Sequence, residues 1–94
     1  MTALWIAHIS VHDEEAYGRY VKEATACVAA HGGAFIARGG KYRQMEGPDR
    51  PRNVVARFPT FDDAVACYEN PRYQDALKIA LAAADRELVI VEEA

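Results

Sequence analysis

Two β-rich runs and a loop of turn-forming residues make up AFIARGGKYRQMEGPDRPRNVVARF, residues 34–58. The first run covers residues 34–38, is interrupted by Gly39-Gly40 with the character of a β-bulge, and is expected to resume over residues 41–46. The loop at residues 47–51 is dense in glycine and proline, and the second run covers residues 52–58. Two strands joined by so short a loop predict an antiparallel hairpin.

Helical segments flank this hairpin on both sides. Acidic residues at 13–15 suit the positive end of a helix dipole, and Gly32 suits the left-handed position that ends a helix. Beyond the hairpin, Thr60 and Asn70 are good N-caps for two successive helices, the second with Pro71 at its first position. Between 13–15 and Gly32, apolar residues recur at helical spacing: Tyr17, Tyr20, Val21, Ala24 and Val28.

Residues 3–11 and 88–92 read as strands at the two ends of the chain. The order is therefore β, α, β, β, α in two pieces, and β. A hairpin between two helical crossovers predicts the α+β, ferredoxin-like βαββαβ fold, with one four-stranded antiparallel sheet and the helices on one face. A chain of 94 residues is expected to form one domain over residues 1–94.

The face of the sheet opposite the helices is predicted to be covered by a second copy of the chain. The helix-facing side of the first strand carries Trp5, Ala7, Ile9 and Val11. The opposite side carries Leu4, Ile6 and His8, and the third strand adds Val55 between Asn53 and Arg57. Polar residues alternate only partly on this second face, so a closed two-fold pair, packed sheet against sheet, is the expected assembly.

Composition and charge argue against several classes of partner. The net charge is −3 and the basic residues are scattered, which disfavours nucleic-acid binding. No apolar stretch approaches the ~18 residues of a membrane span. The first residues show no basic region or cleavage site, so a cytoplasmic location is expected. Cys27 and Cys67 fall in helical patterns and are expected to be free thiols. His8 and His12 lack a completing ligand cluster, so no metal site is predicted.

Several stretches of the sequence look like one family; they include Ala37-Arg38-Gly39-Gly40, Arg52-Asn53-Val54-Val55, Phe58-Pro59, Cys67-Tyr68, Tyr73-Gln74 and Ile90-Val91-Glu92. Over nearly its whole length the chain resembles the uncharacterised "domain of unknown function 1330" family. The resemblance implies the dimeric α/β-barrel form of the ferredoxin-like fold, which is similar in architecture to cofactor-free monooxygenases, muconolactone isomerases and stress-induced barrels. The family has no settled activity, so the function stays open. Ala80 stands where many relatives are expected to carry a basic residue.

A small polar set is predicted to form a ligand site in the barrel. His8 is the candidate general base, because imidazole titrates near neutral pH. Arg38, next to two glycines, is the candidate anchor for a carboxylate or another oxyanion. The candidate substrate-binding residues are Arg38, Asn53, Arg57, Tyr68 and Tyr73.

Each candidate also has a structural explanation. His8 can be a hydrogen-bonded residue of the dimer interface, and the helical tyrosines can belong to the core. Arg38 can pair with Glu46 or another acid of the loop, and Asp85 and Arg86 are expected to form an ion pair at a helix end.

Three functions stay open on the sequence. The first is a cofactor-independent enzyme, without metal, that acts on a small carboxylate or carbonyl compound. The second is a non-catalytic or stress-related module that binds a small molecule. The third is a purely structural homodimer whose polar groups satisfy one another.

Overall fold

Four strands and three helices follow one another in the computed structural model, which describes residues 1–94. The sheet order is β2-β3-β1-β4, and all neighbouring strands are antiparallel. The predicted ferredoxin-like α+β fold is confirmed. In chain order the elements are β1 (Ala3–Val11), α1 (Glu14–Ala30), β2 (Ala34–Arg38), β3 (Arg52–Phe58), α2 (Phe61–Glu69), α3 (Pro71–Ala83) and β4 (Ala84–Glu92).

Local side-chain hydrogen bonds start each helix where the sequence predicts a start. The carboxylate of Asp13 accepts from the backbone N–H of residue 16, the hydroxyl of Thr60 from that of residue 63, and the amide oxygen of Asn70 from that of residue 72. Pro71 occupies the first turn of α3, where its missing N–H costs nothing. Gly32, with φ of 77°, follows the end of α1. These caps confirm the predicted helix boundaries.

The hairpin differs from its prediction in two respects. β2 ends at Arg38 and does not resume over residues 41–46, because Gly39 adopts φ of 67° and turns the chain away. The irregularity in strand pairing lies between Phe35 and Ala37, inside β2, and not at Gly39-Gly40. Ile36 is therefore the extra residue of the bulge, which changes the face to which the following residues point.

The last strand is longer than predicted. β4 begins at Ala84 and pairs with β1 along the whole of β1. Asp85 and Arg86 consequently lie within a strand and point to opposite faces of the sheet, so the expected helix-end ion pair between them is wrong. Asp85, Arg86 and Glu87 near the start of β4 are polar residues typical of a loop, and only their pairing with β1 identifies them as part of a strand.

Alternate residues of the strands form the core together with the helices. Trp5 lies at its centre, with ring centroids 5.7 Å from Phe58, 5.7 Å from Tyr68 and 5.2 Å from Tyr73. Ala80 of α3 is completely buried in the same cluster. None of the three helices has both the length and the apolar character that crossing a bilayer requires.

The face of the sheet away from the helices, which we call the open face, carries apolar side chains in contact with solvent. Val89 and Val91 of β4 are 54% and 46% exposed, and Leu4 and Ile6 of β1 are only partly buried. This distribution agrees with the predicted assignment of the faces of β1. It leaves an apolar surface that the three helices of the same chain do not cover.

Candidate functional site

A cavity lies between the helix-facing side of the sheet and α1. Its volume is about 30 Å³, and ten of its thirteen lining residues are hydrophobic. The other three are arginines: Arg38, Arg52 and Arg86. We call this space the arginine cavity. An apolar site with a few convergent polar groups is the usual character of a ligand pocket.

Strand register brings these arginines together. Arg52 of β3 and Arg86 of β4 are both paired with Ile9, one on each side of β1. Paired residues in an antiparallel sheet share a face, so both guanidinium groups lie on the helix side, where Ile9 is buried. Arg38 of β2 pairs with Val54, which is also buried on that side.

Aromatic rings support all three guanidinium groups. The Cζ atom of Arg38 lies 4.1 Å from the ring centroid of Phe35, and that of Arg86 lies 4.8 Å from the centroid of Tyr20. The Cζ atom of Arg52 lies 5.9 Å from the centroid of Tyr17. Such contacts orient a guanidinium group without neutralising its charge.

The hydrogen-bonding capacity of the arginines is largely unused. Arg38 donates to the hydroxyl of Thr25, and Arg86 donates to the hydroxyl of Tyr20 at 2.9 Å. The Nε atoms of Arg52 and Arg86 are buried and have no hydrogen-bond partner. The five ion pairs of the chain involve other residues. Because buried donors are normally satisfied, two orphaned Nε–H groups beside one cavity indicate a site for an acceptor with negative charge.

Two tyrosines of α1 add neutral donors to the cavity wall. Burial raises the pKa of the Tyr17 phenol, and the positive charges of Arg86 and Arg52 offset part of that rise. Burial also raises the pKa of Tyr20, whose hydroxyl lies 2.7 Å from that of Tyr73. Both cavity phenols are therefore protonated at neutral pH.

A wider groove leads from the arginine cavity to solvent. Its volume is about 360 Å³, and it shares Tyr17, Val21 and Arg52 with the cavity, so the two spaces form one continuous cleft. Its remaining lining residues are Val11, Glu14, Gly18, Gly39 and Pro51. We call it the outer groove. Glu14 is its one carboxylate.

The sheet separates the residues that were predicted to converge. His8, Asn53 and Arg57 lie on the open face, where Asn53 Oδ1 accepts from His8 Nδ1 at 2.6 Å and Arg57 pairs with Glu93 at 2.6 Å. Arg38 lies on the helix side and lines the arginine cavity. The expectation of one site containing both His8 and Arg38 is therefore wrong.

The bulge in β2 is the physical reason. Phe35 and Arg38 are three residues apart and would point to opposite faces of a regular strand. The register shift after Phe35 places both on the helix side, opposite Ala56 and Val54. The alternative pairing of Arg38 with Glu46 is also wrong, because Thr25 is its hydrogen-bond partner.

Tyr68 and Tyr73 pack in the core and do not line the cavity. Tyr73 is completely buried, and its ring centroid lies 5.2 Å from that of Tyr68. The hydroxyl of Tyr73 nevertheless reaches Tyr20, which accepts from Arg86, so Tyr73 supports the cavity wall from behind. A direct role of either tyrosine in substrate binding stays a prediction.

Sequence reasoning missed Arg52, Arg86, Tyr17 and Tyr20 as members of the site. The available signal was the alternation of the strands: Arg52 is two residues before Val54, and Arg86 is two residues before Leu88. An arginine in the inward register of an apolar strand needs an explanation, since charged residues are seldom buried without a partner. Because the last strand was predicted to begin at residue 88, Arg86 was not assigned to a strand.

The cysteines do not contribute to the cleft. Cys27 and Cys67 are buried free thiols, as predicted. Burial raises the pKa of Cys67 to about 12, and the nearby Cys27 adds to the rise. A thiol with so high a pKa is a poor nucleophile at neutral pH.

The fold and this cleft can be compared with known proteins. Residues 2–94 match the family model described as Domain of unknown function (DUF1330). The chain belongs to this family. The resemblance that the sequence suggested is thus confirmed. No curated protein matches the DUF1330 chain in sequence.

Several solved structures share the fold of this DUF1330 protein. RPA0582, a protein of unknown function from Rhodopseudomonas palustris, is 19% identical with a TM-score of 0.81, over 99% of this chain and 82% of that one. A dimeric ferredoxin-like protein of unknown function from Jannaschia sp. CCS1 is 15% identical with a TM-score of 0.70, over 99% and 100%. SnoaB, a cofactor-independent oxygenase from Streptomyces nogalater, is 14% identical with a TM-score of 0.67, over 99% and 93%. At these identities the likeness extends to the fold alone.

Proposed function

We propose that this DUF1330 protein is a cofactor-independent enzyme that binds a small organic carboxylate or carbonyl compound in the cleft between α1 and the sheet. The observation that carries the proposal is the convergence of Arg38, Arg52 and Arg86 on one apolar cavity without an acidic partner. An anion would satisfy donors that the chain leaves unpaired.

Side chains of the cleft could stabilise the negative charge that forms on a bound ligand during a reaction. A ligand oxygen in the arginine cavity would accept hydrogen bonds from the guanidinium groups of Arg52 and Arg86, which line it, and the protonated Tyr17 offers a further donor. If a proton leaves the carbon next to a carbonyl group, its electron pair moves onto that oxygen. Preorganised donors in an apolar site stabilise such an oxyanion more than water does. Glu14 in the outer groove is the carboxylate that would accept the proton.

A thermal-shift screen with turnover analysis tests this proposal. Small carboxylates such as benzoate are expected to raise the melting temperature by several degrees at 100 times their dissociation constant, a gain of about 2.7 kcal/mol, because they bind the folded state only. Neutral amides of the same shape, such as benzamide, are the matched control and should give a smaller shift, because they lack the charge that the guanidinium groups attract. Hits are then incubated with the protein and followed by NMR for chemical change.

The outcomes of the screen separate the open functions. A hit that is converted supports the enzyme. A hit that carries a hydrogen on the carbon next to its carbonyl group and is bound but unchanged favours the non-catalytic binding module, for which the absence of histidine from the cavity lining is the supporting observation. If no carboxylate shifts the melting temperature, the anion site is refuted and the purely structural dimer becomes the better explanation.

We also propose that two copies of the chain pair through their open faces. Val89 and Val91 leave an apolar surface there, and the similar protein from Jannaschia sp. CCS1 is described as dimeric. His8, Asn53 and Arg57 would then lie between the two sheets, and a catalytic role of His8 stays a prediction about that interface.

Val89→Asp is expected to convert the dimer into a monomer, because it would place two carboxylates in an apolar interface. Leu81→Asp is the matched control, since Leu81 is 62% exposed but lies on α3. Light scattering after size exclusion measures both masses. A wild-type monomer, or a Val89→Asp variant that stays dimeric, would refute pairing through the open face.

A further inference from the structure

Gly18 occupies an unusual position in α1. It lies in the helix at Glu14–Ala30, where glycine is the least favourable residue apart from proline. Its backbone is helical, and a Cβ atom built on it would meet no heavy atom within 4 Å. Neither backbone conformation nor packing within the chain therefore requires glycine here.

Gly33 is the opposite case, a glycine that the packing of the chain requires. At Gly33 an added Cβ would lie 2.7 Å from side-chain atoms of both Phe58 and Val28. Real Cβ atoms are not found so close to such neighbours, so the core itself excludes a side chain at that position. Gly18 lacks any such neighbour, so packing within the chain gives no explanation for it.

The location of Gly18 supplies that explanation. Gly18 lines the outer groove between Tyr17 and Val21, two residues that the groove shares with the arginine cavity. The cavity, at about 30 Å³, has room for a compact group such as a carboxylate but not for a whole organic molecule. The outer groove, at about 360 Å³, is in the size range of small-molecule sites.

We propose that Gly18 determines substrate size, by leaving room in the outer groove for the apolar body of a ligand whose anionic head group lies in the arginine cavity. This inference rests on the proposed function and narrows its substrate class. Val11, Val21 and Pro51 give the groove apolar walls, which suit an aromatic or branched body. Glu14 would repel a second negative charge, so the ligand is a monoanion with an uncharged body.

Gly18→Leu fills the outer groove and leaves the arginines in place. The probes are acetate, which consists of little more than the head group, and 1-naphthoate, which has a bulky body. We expect Gly18→Leu to lose at least about 10-fold in affinity for 1-naphthoate, because the leucine side chain occupies the space of the ring. Its affinity for acetate should stay within about two-fold of wild type, since acetate needs only the cavity. Titrations followed by NMR measure both affinities.

The melting temperature of Gly18→Ala tests whether the folded chain itself needs glycine at this position. Because the methyl group meets nothing and alanine favours the helix, the melting temperature should rise by about 2–8 °C without ligand. For the affinities of Gly18→Leu, the matched control is Ala29→Leu, at an exposed position on the same helix; it should change the affinity for neither acetate nor 1-naphthoate. A lower melting temperature of Gly18→Ala would overturn the inference, because the chain itself would then need the glycine.

The remaining outcomes distinguish this inference from the proposed function. If Gly18→Leu binds 1-naphthoate as tightly as wild type while acetate still binds, Gly18 does not border the ligand, and only the present inference fails. If Gly18→Leu changes the oligomeric state, Gly18 belongs to a protein interface and the inference also fails. If the wild-type protein binds neither acetate nor 1-naphthoate, the anion site and the inference fail together.

Discussion

Arg52→Met is expected to weaken carboxylate binding by about 10- to 150-fold, the equivalent of one hydrogen bond to a charged group at about 1.5–3 kcal/mol. The guanidinium group of Arg52 lines the arginine cavity and forms no ion pair within the chain, so it is available for a charged hydrogen bond to a bound anion. Methionine keeps an unbranched apolar stem of similar length and removes the charge. Calorimetric titration of the benzoate-type ligand found in the screen measures the loss.

The same variant should not lose stability in the absence of ligand. Removal of a partly buried, unpaired guanidinium group relieves an uncompensated desolvation cost and the repulsion from Arg38 and Arg86. Weaker binding together with an equal or higher melting temperature is the signature of a group held for a ligand. A structural arginine would show the opposite, a clear fall in the melting temperature.

Arg57→Met is the matched control for Arg52→Met. Arg57 belongs to the same strand but points to the open face, where it pairs with Glu93. That ion pair is partly exposed in the single chain and, in the proposed pair of chains, lies between the two sheets, away from the arginine cavity. Ligand affinity should therefore be unchanged in Arg57→Met. Equal losses of affinity in the two variants would refute the location of the site on the helix side of the sheet.

Trp5→Ala is expected to lower the free energy of unfolding by about 3–5 kcal/mol, the usual cost of truncating a large buried aromatic side chain. Trp5 stacks on Phe58 and touches Tyr68 and Tyr73, so its removal leaves a cavity that several side chains border. A domain of this kind is stabilised by only about 5–15 kcal/mol in total, so the loss is a large share. Urea unfolding followed by circular dichroism measures it.

Lys78→Ala is the surface control for that experiment. The Lys78 side chain is 81% exposed and makes only a 3.7 Å contact with Asp75. Its replacement should change the free energy of unfolding by less than about 0.5 kcal/mol. A loss below 1 kcal/mol in Trp5→Ala would contradict the central place of Trp5 in the core and, with it, the packing that shapes the wall of the arginine cavity.

The site that the structure supports is different from the one that the sequence favoured. The polar residues of the open face attracted attention because His8, Asn53 and Arg57 stand out among apolar neighbours. In the fold these three satisfy one another or an adjacent acid. The arginines of the helix side do not, and an unsatisfied buried donor is the better indication of a ligand. Arg38 is the one predicted binding residue that lines the cavity.

The amino-acid sequence by itself determined the order of the elements of this protein and the faces that α1 and β1 present. Caps such as Asp13 and Asn70, the helical spacing of Tyr17 and Tyr20, and the alternation of β1 act within a few residues of the chain. Such local signals can be recognised without knowledge of the partners. They were sufficient for the ferredoxin-like order and for the family.

Only the tertiary structure decided which side chains meet. The pairing of Ile9 with both Arg52 and Arg86 joins segments that are far apart in the chain, and no local pattern encodes that register. A single extra residue in β2 then moved Arg38 to the helix side, because each one-residue shift of a strand exchanges its two faces. The arginine cavity exists because three long-range strand pairings place like charges on the helix side of the sheet.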